Sequence, residues 1–258
     1  MSPARISLDR LLLAALLLLA LPAATVRAAD PDALWKIVHG ACVPHAMAGE
    51  GPAPCSFVDL AGGYAVLKDI RGATQFLLIP TTRIAGMESP EILLPGAANY
   101  WQAAWAARRF VDEKAGRSLA RRDIGLAINA AARRSQNQLH IHIDCLRPDV
   151  IALLAAKSGE IGAGWTPVAL PPAGHPYLAR RIDSGDLAGI DPFRLVADGI
   201  PGAAADMGGQ TVVVAGASFA GGQEGFYLLD DHVDAAQPAR GWGEELLDHD
   251  CAVLKQAP

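Results

Sequence analysis

The chain has 258 residues, 51% of them hydrophobic and 19% charged, with a net charge of −5. This apolar content excludes a disordered chain, and no short repeat supports a collagen-like or coiled-coil form. The length suffices for a substantial core, and the acidic balance argues against nucleic acid as a partner, because neutralising phosphates needs a basic face.

Residues 1–28 form the first predicted element. Arg5 and Arg10 precede an uncharged, Leu- and Ala-rich run from Leu11 to Val26, broken by Pro22, and Val26-Arg27-Ala28 follows. This is the layout of a signal peptide. The run falls short of the roughly 20 residues of a comfortable bilayer span, and a retained N-terminal membrane anchor is the alternative. Either way the remaining chain is expected across a membrane. In an oxidising compartment the even cysteine count suggests disulfides. Cys42 and Cys55 bracket a short Pro- and Gly-rich stretch, which leaves Cys145 and Cys251 as a second pair. A metal site from Cys42, His45 and Cys55 is the other reading, and the connectivity stays open.

The elements then follow in order. Leu34 to Gly40 reads as a short helix and 42–55 as a loop. Tyr64 to Asp69 and Gln75 to Ile79 read as an antiparallel hairpin. Ala98 to Ala115 reads as one helix, with a Trp101/Trp105 core stripe and Gly116 as its stop. Ile124 to Asn129 and Gln138 to Leu146 are strands joined by a polar turn. Asp149 to Lys157 is a helix behind Pro148. Gly162 to Gly174 reads as a linker, Tyr177 to Ile182, Thr211 to Ala217 and Phe226 to Asp230 as strands, and Trp242 to Leu254 as a closing helix. The fold class is α+β, an antiparallel sheet packed with helices.

The most informative stretch is Gln138-Leu-His140-Ile-His142-Ile-Asp144-Cys145. Alternate strand residues share a face, so His140, His142 and Asp144 stand together while Ile141, Ile143 and Cys145 face the other way. Burying two imidazoles and a carboxylate is costly unless they are paired. A polar outer face and a metal site are the competing readings. The reading preferred here is nucleophilic catalysis, since an imidazole accepts a phosphoryl group well.

This stretch resembles the histidine-triad superfamily, with Asp144 in the third position. Asn129 precedes Gln136 at that superfamily's spacing, and Phe76-Leu-Leu-Ile-Pro80 followed by Arg83-Ile84 matches its upstream segment, with Arg83 in place of histidine. Ala-Ile-Asn129, Cys145-Leu-Arg-Pro-Asp149, Gly174-His175-x-Tyr177-Leu-Ala-Arg180-Arg181 and Asp248-His249-Asp250-Cys251 are similar to the bacterial CDP-diacylglycerol pyrophosphatases. The resemblance implies a histidine-triad-like sheet with a C-terminal α/β extension, divided as 1–28 signal or anchor, 29–161 catalytic core and 162–258 linker and extension. It also implies hydrolysis of CDP-diacylglycerol to CMP and phosphatidate at the inner membrane, with the catalytic domain facing the periplasm and the membrane surface as partner.

By position His142 is then the nucleophile, forming a CMP-histidine intermediate, and His140 its orienting neighbour. Neither imidazole needs a metal to attack, and no cofactor is implied. Asn129, Gln136 and Asn137 are neutral donors suited to phosphate oxygens. Lys68, Arg83, Arg180 and Arg181 are candidate phosphate cations, while Asp144 and His175 are candidate pocket residues. His39, His45, His232 and His249 read as ordinary loop or helix positions. A nucleotidyl transferase, a hydrolase of soluble nucleotide diphosphate esters and a non-catalytic nucleotide-lipid binding protein are the alternative functions.

Overall fold

A computed structural model describes residues 30–255, and the predicted signal or anchor segment lies outside them. Nine strands form one sheet: β1 (Phe57–Asp59), β2 (Tyr64–Lys68), β3 (Phe76–Pro80), β4 (Ile124–Ile128), β5 (Ile141–Cys145), β6 (Thr166–Leu170), β7 (His175–Ile182), β8 (Gln210–Ser218) and β9 (Glu224–His232). Their order is β1-β2-β3-β5-β4-β8-β9-β7-β6, and neighbouring strands are antiparallel. The expected α+β class is therefore observed. The late strands β6–β9 continue the same sheet, with β8 pairing directly with β4. Strand β5 returns between β3 and β4, so it is hydrogen-bonded on both sides.

Six helices accompany the sheet among the described residues: α1 (Ala33–Ile37), α2 (Val43–Ala48), α3 (Tyr100–Ala107), α4 (Arg109–Ala115), α5 (Pro148–Ala156) and α6 (Pro192–Gly199). One face of the sheet buries Ile141, Ile143 and Cys145 with Leu126, Val212, Val214 and the α3, α4 and α6 side chains. Trp101 meets Phe193 edge-on at 5.3 Å and Trp105 meets Phe226 at 4.8 Å. Such pairs add to the apolar burial that drives this layer.

The second face carries two separate apolar clusters. Leu34 and Val38 pack with Ala65, Leu77 and Ile79. Val150 and Leu154 of α5 pack with Ala127, Val213, Ala215 and Leu229. His142 pairs with Leu77 on one side and Ala127 on the other. Directly paired residues share a face, so His142 rises between the two clusters.

Several elements differ from their sequence-based expectation. The 98–115 helix is two helices, because the Arg108 guanidinium donates to the Trp105 carbonyl at 2.6 Å and takes over an acceptor of the helix ladder. The 42–55 loop begins with α2, joined to α1 by a π-helical turn, Val38–Cys42. The linker contains the edge strand β6, where Pro167 is tolerated because one side of the strand needs no ladder donor. The closing helix is absent; two short 3-10 turns, Gly243–Leu246 and Ala252–Lys255, stand there. Arg147 donates its amide to the Leu246 carbonyl, and Asp248 donates to that of Cys145. The backbone of this segment is committed to the end of β5 and cannot close a helix.

Cys42 is bonded to Cys55 and Cys145 to Cys251. The Cys42–His45–Cys55 metal reading is thereby corrected, since a cystine offers no thiolate. The Cys145–Cys251 bridge closes a separation of 106 residues. Replacing both cysteines with alanine is expected to lower unfolding stability by about 2–5 kcal/mol, read from denaturant midpoints.

Candidate active site

Three distant segments converge on β5. The β2–β3 loop supplies Asp69, Thr74 and Gln75. The turn after Trp242 supplies Glu244 and Glu245, and the last described residues supply His249. His140 and His142 are 8% and 5% exposed, and Asp144 has no exposure. The two rings meet edge-on with centroids 4.8 Å apart.

Each imidazole has a distinct setting. His140 precedes β5, and its Nδ1 donates to the Gln138 carbonyl at 2.7 Å. His142 Nδ1 faces the Gln75 amide nitrogen at 3.1 Å, Glu244 Oε1 at 3.2 Å and Asp69 Oδ2 at 3.9 Å. The Gln75 amide is fixed in turn by donating to Asp69 Oδ2 at 2.6 Å. His142 Nε2 is buried without a hydrogen-bond partner among the described residues. Burial lowers both imidazoles to a pKa of about 4, against the opposing pull of neighbouring carboxylates. Both rings are neutral at pH 7.

Asp144 does not point to solvent. Its Oδ1 accepts from the Thr74 hydroxyl at 2.6 Å, and its Oδ2 faces His249 Nδ1 at 3.2 Å. The hydrogen bond to Asp144 raises the pKa of His249, with burial opposing and Glu244 and Asp69 adding to the rise. Glu244 is clamped by Asn129, whose amide donates to Oε2 at 2.5 Å while its Oδ1 accepts from the Glu244 amide at 3.2 Å. Glu245 accepts from Tyr177 Oη at 2.8 Å and lies 3.0 Å from His175 Nδ1.

The structure thus brings His140, His142, Asp144 and Asn129 together, while His175 of β7 meets Glu245, one residue beyond Glu244 on the turn. Lys68 is at the rim, its Nζ donating to the Asp69 and Gly72 carbonyls. Other expected ligands are engaged elsewhere. Gln136 accepts from the Leu34 amide, and Asn137 is an exposed residue whose backbone N–H, not its side chain, is bonded, to the Pro31 carbonyl. Arg83 bonds Asp32 and lies over the Trp35 ring. Arg180 pairs with Leu228 on the opposite face, over Trp165. Arg181 lies over Phe219 and bonds Asp183.

The sequence reading passes over Asp69, Gln75, Glu244 and His249. Asp69 and Gln75 carry no motif of their own. His249 carries a signal, because it stands two residues before the cysteine that bonds Cys145, itself next to Asp144.

These features define the class, an α+β protein with two buried, adjoining histidines at its central strand. The sequence model of the CDP-diacylglycerol pyrophosphatases matches residues 29–255. A protein named CDP-diacylglycerol pyrophosphatase from Yersinia pestis is 42% identical over 252 residues, covering 96% of each chain. The chain belongs to the CDP-diacylglycerol pyrophosphatase family.

The lowered histidines have a measurable consequence. Their folded pKa of about 4 lies below the ordinary imidazole value of 6.5, so the unfolded chain binds more protons between these limits. Stability therefore falls as pH drops from 6.5 towards 4. In a His140→Gln/His142→Gln variant, denaturation midpoints over this range are expected to fall less steeply than in the wild type.

Proposed function

We propose that the protein hydrolyses CDP-diacylglycerol to CMP and phosphatidate through a covalent intermediate on His142. The observation that carries this reading is the His142 ring itself: neutral, buried and fixed at Nδ1, with Nε2 free of any partner among the described residues. In the attacking tautomer the hydrogen sits on Nδ1, towards Glu244 and Asp69, the Gln75 amide nitrogen that donates to Nδ1 at 3.1 Å turns aside, and the lone pair stands on Nε2. That pair attacks the cytidine-side phosphorus. The N–P bond forms, the P–O bond to phosphatidate breaks, and the electron pair leaves on the phosphatidate oxygen. The Nδ1 hydrogen stays in place, so the phosphorylated ring gains positive charge against the Glu244 carboxylate. Water then attacks the same phosphorus, breaks the N–P bond and releases CMP. Two accessible displacements replace one difficult step.

His140 supports the ring of His142 by edge contact and is held by the Gln138 carbonyl. Asn129 serves catalysis by holding Glu244, in place of the expected direct contact with phosphate.

The membrane belongs to the same reading. No helix among the described residues is long and apolar enough to cross a bilayer. We assign delivery to the N-terminal apolar run and the working face to the periplasmic side of the inner membrane. Support comes from the β2–β3 loop, where Ile70 is 99% exposed between Lys68 and Arg71. An apolar tip flanked by cations suits a lipid surface bearing phosphate groups. The base of the same loop, Asp69 and Gln75, contacts the His142 surroundings.

With CDP-diacylglycerol labelled at the cytidine-side phosphorus, acid-stable precipitation is the wrong trap, since N–P bonds are acid-labile; an alkaline quench is expected to retain label on wild-type protein. His142→Ala is expected to lose label and at least about 1,000-fold in turnover. Retained turnover in that variant defeats the nucleophile assignment. Ile70→Ser is expected to lower turnover on CDP-diacylglycerol in bilayers about tenfold, while leaving a water-soluble CDP ester unaffected.

A further inference from the structure

Resting on the reading above, we propose that His249 is a positioning residue of this active site. It bridges Asp144 to Glu244 and so fixes the carboxylate that faces Nδ1 of His142. The geometry is an alternation of two carboxylates and two imidazoles. Asp144 Oδ2 lies 3.2 Å from His249 Nδ1, and His249 Nε2 lies 3.9 Å from Glu244 Oε1. The same Glu244 oxygen lies 3.2 Å from His142 Nδ1. The imidazole missing from the third position of the β5 motif is thus supplied from the C-terminal segment.

Independent restraints hold His249 in place. Its carbonyl accepts from the Ala73 amide at 2.9 Å. Gly72, at φ +68°, leaves the space that a side chain would contest, because a Cβ there would come 3.2 Å from the His249 Cβ. Two residues on, Cys251 is bonded to Cys145 of β5. Placement this specific is not needed for a solvated loop histidine, and the residue stays 36% exposed, so it can exchange protons with water.

Charge explains what this placement does. The groups facing His249 are Asp144 from β5, Asp69 from the β2–β3 loop and Glu244 from the preceding turn, with Asp248 and Asp250 as chain neighbours. Lys68, Arg71 and His142 stand behind these acids. Carboxylates dominate, so His249 holds its proton more tightly than an ordinary imidazole, while burial weakens the hold of the other two. Neighbouring groups whose environments push their titrations apart divide acid and base work between them. His249 stands against Glu244 Oε1 from one side while Asn129 holds Oε2 from the other.

The sign of the pH effect follows. His249 binds its proton more tightly than an ordinary histidine, so its contribution is complete below pH 6.5 and is lost as pH rises through its higher folded value. The test is the pH profile of kcat and KM on CDP-diacylglycerol for the full chain and for His249→Gln and His249→Lys. The wild type is expected to show an alkaline fall in kcat. His249→Gln is expected to lose about 100-fold in kcat with little change in KM, and to lose that alkaline limb. His249→Lys is expected to recover part of kcat, with the limb moved to higher pH. Thermal melts and intact-mass confirmation of both disulfides establish that each variant is folded. Turnover of His249→Gln within twofold of wild type overturns the proposal. So does a loss of kcat that leaves the alkaline limb in place, or one that lysine does not rescue. His142→Ala is run in parallel: if it keeps turnover while the His249 effects appear, the nucleophile reading fails alone.

Discussion

A carboxylate sealed from solvent has to find its partners within the protein, or lose its charge. Asp144 meets that demand with the Thr74 hydroxyl and the His249 imidazole, and much of the site follows from those two contacts. Thr74 ties the β2–β3 loop to β5, which brings Asp69 and Gln75 to the edge of His142. His249 ties the C-terminal segment to the same strand, which brings the preceding turn and its Glu244 alongside. One buried negative charge therefore gathers segments that lie up to 105 residues away in sequence.

The sheet makes this possible by treating its faces differently. One face is a continuous apolar layer under α3, α4 and α6. The other is divided, with α1 covering β2 and β3 and α5 covering β4, β8 and β9. Strand β5 lies beneath the division. Its isoleucines anchor the strand in the continuous layer, and its polar side chains rise into the gap. The same walls that exclude water from His142 depress its proton affinity, so rigid placement and a free lone pair have a common physical origin.

The sequence reading reaches those parts of the fold that depend on local periodicity. The alternation in Ile141-His142-Ile143-Asp144 predicts two faces of opposite character, and both are present. The β2–β3 and β8–β9 hairpins were legible for the same reason. What escapes is decided by long-range competition for backbone and side-chain partners. Residues 242–254 have the composition of a helix, but the Asp248 amide and the Leu246 carbonyl pair with residues at the end of β5 and the His249 carbonyl with Ala73. Arg108 falls at helical spacing on the same stripe as Trp101 and Trp105, yet its guanidinium donates to the Trp105 carbonyl where the helix divides. Asn129 carries the amide expected of a phosphate ligand, and that amide is spent on Glu244. His249 was visible in the sequence within the Asp248-His249-Asp250-Cys251 motif, and the Cys145–Cys251 pair places that motif beside Asp144.

The Cys145–Cys251 bridge also has a temporal meaning. A chain made from its N-terminus exposes β5 well before residues 244–251 have emerged. Until those residues arrive and the bridge closes, Asp144 lacks its imidazole and His142 lacks Glu244. The arrangement around His142 is therefore the last part of the fold to be completed.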